Sequence, residues 1–116
     1  MEYEKIIDAL VERRDSITAK KVRHGEQWLN TAEKSKFNNL IQSASPEQLA
    51  LFSELLQSER DSGFHDALVV LSELMSLENL RFSVNGEELP HEPYGTELYF
   101  DWIARVSGEP WPKDKG

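Results

Sequence analysis

The chain has no cysteine. That absence removes zinc ribbons, thiol nucleophiles and disulfide staples together, and it suits a reducing compartment. Glycine and proline are sparse, six and five residues, too few for a linker-rich or low-complexity chain. No apolar run approaches the roughly 20 residues that a membrane-spanning helix needs. The start, Met1-Glu2-Tyr3-Glu4-Lys5, is charged and lacks the pattern of a signal peptide. A cytoplasmic protein with no membrane association is the expectation. Dinucleotide, Walker, Gly-x-Ser-x-Gly and His-Glu-x-x-His patterns are missing as well, so no cofactor and no catalytic residue is expected.

Positive charge is the other shortage. Thirteen Lys/Arg face twenty-one Asp/Glu, a net charge of −8. The imbalance is one-sided: residues 1–44 hold eight basic against seven acidic residues, residues 45–116 five against fourteen. Such a field repels phosphate and attracts cationic partners, which argues against nucleic acid. The cluster Arg13, Arg14, Lys20, Lys21, Arg23 and His24 is the one basic feature. Its position near the end of a predicted helix is explained by the negative end of the helix dipole.

A length of 116 residues suits one domain around one core, with residues 112–116 as a polar tail. Helical periodicity runs to about residue 79. Tyr3, Ile6, Ile7, Leu10, Val11, Ile17 and Val22 share one arc, which predicts a first helix ending near Gly25. Asn30-Thr31-Ala32-Glu33 and Ser45-Pro46-Glu47-Gln48 both have capping-box spacing, the second reinforced by proline at the first helical position. Asp61-Ser62-Gly63 predicts a break, with one long kinked helix as the alternative. The widest apolar arc follows over 63–78.

The period then changes. Arg81-Phe82-Ser83-Val84 alternates, and Asn85-Gly86 is the pair a type I′ hairpin requires. A two-residue turn sets Val84 opposite Glu87 and Phe82 opposite Leu89, with Phe82, Val84 and Leu89 on one face. Thr96 is the expected cap of a last helix. Tyr99, Trp102, Ile103 and Val106 line one side of it, and Glu97, Asp101 and Arg105 form a surface ladder on the other. The predicted fold is therefore mostly α: a compact bundle of about five helices with one small antiparallel hairpin, residues 81–89, before the last helix. Its build is similar in character to short acidic bacterial proteins, with no residue motif that ties it to a named family.

Three groups qualify as candidate site residues. Glu88, His91 and Glu92 lie in an acidic, histidine-containing loop over 87–94, whose ligands suit a hard metal but follow no dedicated spacing. Tyr94, Phe100 and Trp111 belong to a C-terminal concentration of aromatics; six of the eleven lie between Phe82 and Trp111. Trp111, framed by Pro110 and Pro112, either folds back or docks into another chain, and Trp28 raises the same question. His65-Asp66 imitates an acid–base pair, yet adjacent helical residues point about 100° apart, so Asp66 is a poor orienting group. The expectation is a non-catalytic interaction domain that self-associates or binds a cationic protein. The alternative is a small enzyme, or a metal or small-ligand binder, that uses the 87–94 loop.

Overall fold

The structure, a computed structural model, describes residues 2–113; residues 114–116 of the expected polar tail lie outside that range. Among the described residues the chain is mostly helical. The order is α1 (Glu2–Glu12), α2 (Ile17–Arg23), α3 (Ser35–Ser43), α4 (Pro46–Leu77), β1 (Ser83–Val84), β2 (Glu87–Glu88) and α5 (Leu98–Val106). The chain divides into two compact units: unit 1 comprises Met1–Arg14 and Ser62–Gly116, unit 2 Asp15–Asp61.

Unit 1 is built on residues from three helices. Tyr3 and Ile7, one turn apart on α1, meet Leu68 and Met75 of α4 and Leu98 and Trp102 of α5 in one buried cluster. Ile7 is 1% exposed, and full burial of a side chain of this size contributes about 1.5–3 kcal/mol. The Trp102 indole stacks on Phe64 at 5.7 Å, with 17° between the rings. The hairpin matches its expected register, Ser83 opposite Glu88 and Val84 opposite Glu87. Asn85 and Gly86 take φ of 51° and 82°, the left-handed pair that the two-residue turn demands. Beyond it the Leu89 amide donates to the Phe82 carbonyl at 2.7 Å. Leu89 is buried and Phe82 packs on the core cluster, so a hairpin too short to stand alone is held by its apolar face.

In unit 2 the second capping box forms in full. The Ser45 amide donates to Gln48 Oε1 at 2.9 Å, and the Gln48 amide donates to Ser45 Oγ at 3.1 Å. The first helix, by contrast, does not run to Val22. It stops at Glu12, and α2 begins afresh because Ser16 caps it: Ser16 Oγ accepts from the Ala19 amide at 3.0 Å. Gln57 Oε1, from α4, takes the Ser16 amide at 2.9 Å. At Gly25, φ of 72° then terminates α2 as expected. The Asn30 start is also displaced. Thr31 Oγ1 accepts from the Lys34 amide at 3.2 Å and Ser35 Oγ donates to the Ala32 carbonyl at 3.3 Å; this hydroxyl turn delays α3 to Ser35.

Two further expectations give way. The Asp61-Ser62-Gly63 break is absent, since α4 continues from Pro46 to Leu77; one glycine costs a helix only about 1 kcal/mol, and the apolar residues downstream outweigh it. At α5, Glu97 occupies the N-cap position without a side-chain bond. Thr96, the expected cap, gives its hydroxyl to Asp101 instead. Asp101 is 5% exposed, so the supposed surface ladder is in part a buried structure.

A Cβ placed on Gly63 meets nothing within 4 Å. Gly63→Ala is therefore expected to raise unfolding free energy by about 0.5–1 kcal/mol. Urea denaturation followed by far-UV circular dichroism checks this, and a lower midpoint would show that the helix needs its glycine.

Candidate functional site

Polar side chains knit unit 1 from end to end. Tyr3 on α1 donates its hydroxyl to Asp101 Oδ2, and Thr96 donates to Asp101 Oδ1. Burial pushes the Asp101 carboxyl above the usual carboxylate range; the two hydroxyl bonds pull it back, and the charge of Glu97 adds to the rise. The Tyr3 hydroxyl is pushed strongly upward, first by burial and then by its bond to Asp101. A second link runs from Asp8. Arg105 grips that carboxylate through Nε at 2.8 Å and Nη2 at 3.4 Å, and Trp111 Nε1 donates to Oδ2 at 3.0 Å. Burial alone would raise the Asp8 carboxyl, but the bonds from Arg105 and Trp111 hold it below the ordinary value.

These links settle where the C-terminal aromatics lie. Tyr94 and Trp111 stack on each other at 5.3 Å, and Tyr3 meets Trp111 edge-on at 6.0 Å. The Arg105 guanidinium lies 5.3 Å from the Trp111 ring, and Tyr94 donates its hydroxyl to Glu4. Trp111 thus folds back onto its own unit. Phe100 is exposed, and Glu88 is exposed on β2. His91 and Glu92 are half-buried.

Beside His91 and Glu92 lies an open groove of about 310 Å³ of mixed character, lined by Val69, Ser72, Glu73, Ser76 and Leu77 of α4 together with Glu92, Glu97 and Tyr99. Residues 69, 72, 73, 76 and 77 form one helical stripe. Ser72 is 6% exposed, and its Oγ has no hydrogen-bond partner among the described residues. Glu92 holds φ of 49°, a left-handed conformation that a side chain bearing Cβ adopts at a cost of about 1–2 kcal/mol. The Tyr99 ring is backed edge-on by His65 at 5.4 Å.

This arrangement does not assemble a catalytic triad. His91 Nε2 lies 3.5 Å from Ser76 Oγ and 3.4 Å from Glu92 Oε1. Both approaches fall on the same nitrogen, so the carboxylate cannot orient the ring from the far side while the imidazole takes a serine proton. His65 Nδ1 stands 3.5 Å from an exposed Asp66 carboxylate, too long and too wet for a tuned base. Among the described residues, no three His, Asp or Glu side chains are placed to hold a metal ion.

Unit 2 carries a different opening, one that sequence reasoning did not foresee. Val22, Trp28, Phe37, Leu40, Leu55 and Leu56 line an apolar groove of about 330 Å³. Asn38, 5% exposed, positions its aromatic lip: Oδ1 accepts from the Trp28 amide at 2.9 Å, and Nδ2 donates to the Trp28 carbonyl at 3.1 Å. The Trp28 ring then meets Phe37 at 5.8 Å. Lys34 Nζ sits 5.7 Å from the Trp28 ring, and Lys36 Nζ sits 5.4 Å from that of Phe37. On α3 the apolar residues Phe37, Leu40 and Ile41 make only a narrow stripe, and a stripe without enough partners leaves a gap.

The described residues thus form a mostly helical chain that carries a mixed polar and apolar groove in unit 1 and an apolar groove in unit 2. It belongs to a family of unknown function, DUF6547, whose model matches residues 1–113. No curated protein and no solved structure matches the chain.

Ionisation offers a test of the unit 1 network. The bond to Glu4, then burial, then the charges of Glu4 and Asp101 push the Tyr94 hydroxyl up from 10.0 to about 12. A raised native value means stability that is full below pH 10 and lost as pH climbs toward 12. Tyr94→Phe removes this contribution, so its stability falls less steeply than wild type across that window, although it starts lower at neutral pH. Denaturation midpoints measured from pH 9 to 12 check the slopes (equal slopes would contradict the Tyr94–Glu4 bond).

Proposed function

We propose that this protein is a non-catalytic interaction domain whose docking surface is the apolar groove of unit 2. The observation that supports this reading is the groove's chemistry: Phe37, Leu40, Leu55 and Leu56 line it while each remains substantially exposed, at 40%, 50%, 66% and 38%. A small chain leaves such side chains clustered in water at a free-energy cost that a partner removes. The occupant is an amphipathic helix of a net-cationic protein. The −8 charge of the chain speeds encounter with such a partner, and a helix lays an apolar ridge into a groove of this shape. The Lys34 and Lys36 ammonium groups beside the aromatic lip favour the negative, C-terminal end of that helix.

The probe is an amphipathic Leu/Lys model helix of about four turns, long enough to hold helical structure on a surface, with a scrambled peptide of equal composition as control. We expect the ordered peptide to bind saturably and the Phe37→Asp/Leu55→Asp variant to bind at least about 10-fold more weakly, roughly 1.4 kcal/mol. Circular dichroism should be unchanged, because both positions are exposed. Equal binding of the scrambled peptide, or undiminished binding by the variant, overturns the reading. Sedimentation of the protein alone gives the other decisive outcome. Self-association that this variant abolishes assigns the groove to a second copy of the chain and refutes the helix partner.

A further inference from the structure

We infer that the core of unit 1 holds a binding cavity for a compact, neutral, apolar molecule the size of one substituted aromatic ring. The inference is independent of the unit 2 groove. A cavity of about 200 Å³ lies inside the cluster that joins three helices. Tyr3 and Ile7 of α1, Leu68 of α4 and Leu98 of α5 belong to that buried cluster, and all four line the cavity. Protein interiors leave few voids larger than one water molecule, so a space of this size at the most buried place in the unit is a feature to be explained. The hairpin forms part of the wall. Phe82 and Leu89 line the cavity just beyond the two-residue strands, where the Leu89 amide donates to the Phe82 carbonyl at 2.7 Å. A hairpin this short covers the space without filling it.

The lining selects the ligand. Among the described residues no polar atom faces the cavity; Tyr3 gives its hydroxyl to Asp101 and leaves its ring to the wall. Water needs polar partners to stay in such a place, and an ion or an unpaired hydroxyl would lose its hydration with nothing to replace it. An apolar ligand leaves water favourably and gains contact on every side. A cavity of about 150 Å³ with aliphatic and phenyl walls is large enough for benzene; at about 200 Å³ this one has room for a substituent as well. The rings of Tyr3 and Phe82 suit an aromatic ligand through edge or offset contact. Ile6 marks the way in. It lines the cavity yet is 39% exposed, whereas Ile7 beside it is 1% exposed, so the wall is thinnest there.

The test is an NMR titration of the methyl-labelled chain with toluene, phenol and 1-hexanol, which have equal numbers of non-hydrogen atoms. We expect toluene to shift the methyl groups of Ile7, Leu68 and Leu98 saturably, with a Kd below about 1 mM, and to raise Tm by mass action. Phenol, with a hydroxyl in place of the methyl, should bind at least about 10-fold more weakly, because the cavity offers that hydroxyl no partner. Leu10 and Leu71 are half-buried and line the cavity, so an added ring can enter it from either position. Leu10→Phe should abolish the toluene shifts while raising Tm by a few degrees, and Leu71→Phe repeats the test from α4. Tighter binding of 1-hexanol than of toluene supports the cavity and assigns it to the end of an alkyl chain whose polar head stays at Ile6; weaker binding assigns it to a ring. Absent or unsaturable toluene shifts, equal binding of phenol, or binding unchanged in both filled variants overturn the proposal. Phe37→Asp/Leu55→Asp should bind toluene as wild type does. Loss of binding in that variant would place toluene in the unit 2 groove and also overturn the proposal, which separates failure here from failure of the groove.

Discussion

A carboxylate held away from water is the constraint on which unit 1 depends. Asp101 is 5% exposed and accepts hydrogen bonds from the hydroxyls of Tyr3, near the start of the chain, and Thr96, just before α5. Burying a charge is costly unless hydrogen bonds replace its hydration, so any loosening of α1 from α5 leaves that cost uncompensated. The apolar cluster around Ile7, Met75 and Trp102 supplies bulk stabilisation, but apolar contact is non-directional. Orientation comes from the polar bonds. Arg105 and Trp111 repeat the logic at lower burial, closing on Asp8 from the far end of α5.

That closure shapes the functional reading. With Trp111 and Tyr94 engaged on their own unit, these two rings are not offered to a partner, and the proposed reading turns to the concavities. They differ in chemistry as their units differ in charge: unit 1 carries fourteen acidic against seven basic residues, unit 2 seven against six. Unit 1 therefore presents acceptors, and unit 2 presents apolar area with lysines beside its aromatic lip. A catalytic account has to contend with His91, whose two polar neighbours compete for one ring nitrogen. A binding account uses the groove as it stands.

Much of the architecture was legible in the residue pattern wherever local chemistry and tertiary packing agree. The Ser45–Gln48 capping box and the Asn85-Gly86 hairpin with its register follow from a few neighbouring residues, and both formed as expected. Reading failed where a distant partner decides. Nothing near Asp15 announces that Gln57 will receive the Ser16 amide and help end one helix and start another. Spacing of four put Asp101 on a surface ladder; Tyr3, 98 residues away, draws it inward. Gly63 looked like a stop because local propensity was weighed without the packing that carries α4 through it. At the unit 1 groove, helical spacing alone puts Val69, Ser72 and Ser76 on one stripe of α4. That Glu92 and Glu97 would stand across from it needed the fold. The unit 2 groove was hidden because a sequence pattern shows which residues are apolar, never how completely they are covered.

The most direct test of this account is a double-mutant cycle on Tyr3→Phe and Asp101→Ala, read from denaturant unfolding at neutral pH. If the buried carboxylate ties the two ends of unit 1 together, the two losses are non-additive, with a coupling of about 1.5–3 kcal/mol as expected for a hydrogen bond to a charged group. Additive losses, with coupling near zero, would mean that apolar packing alone positions α1 against α5 and would contradict the central claim.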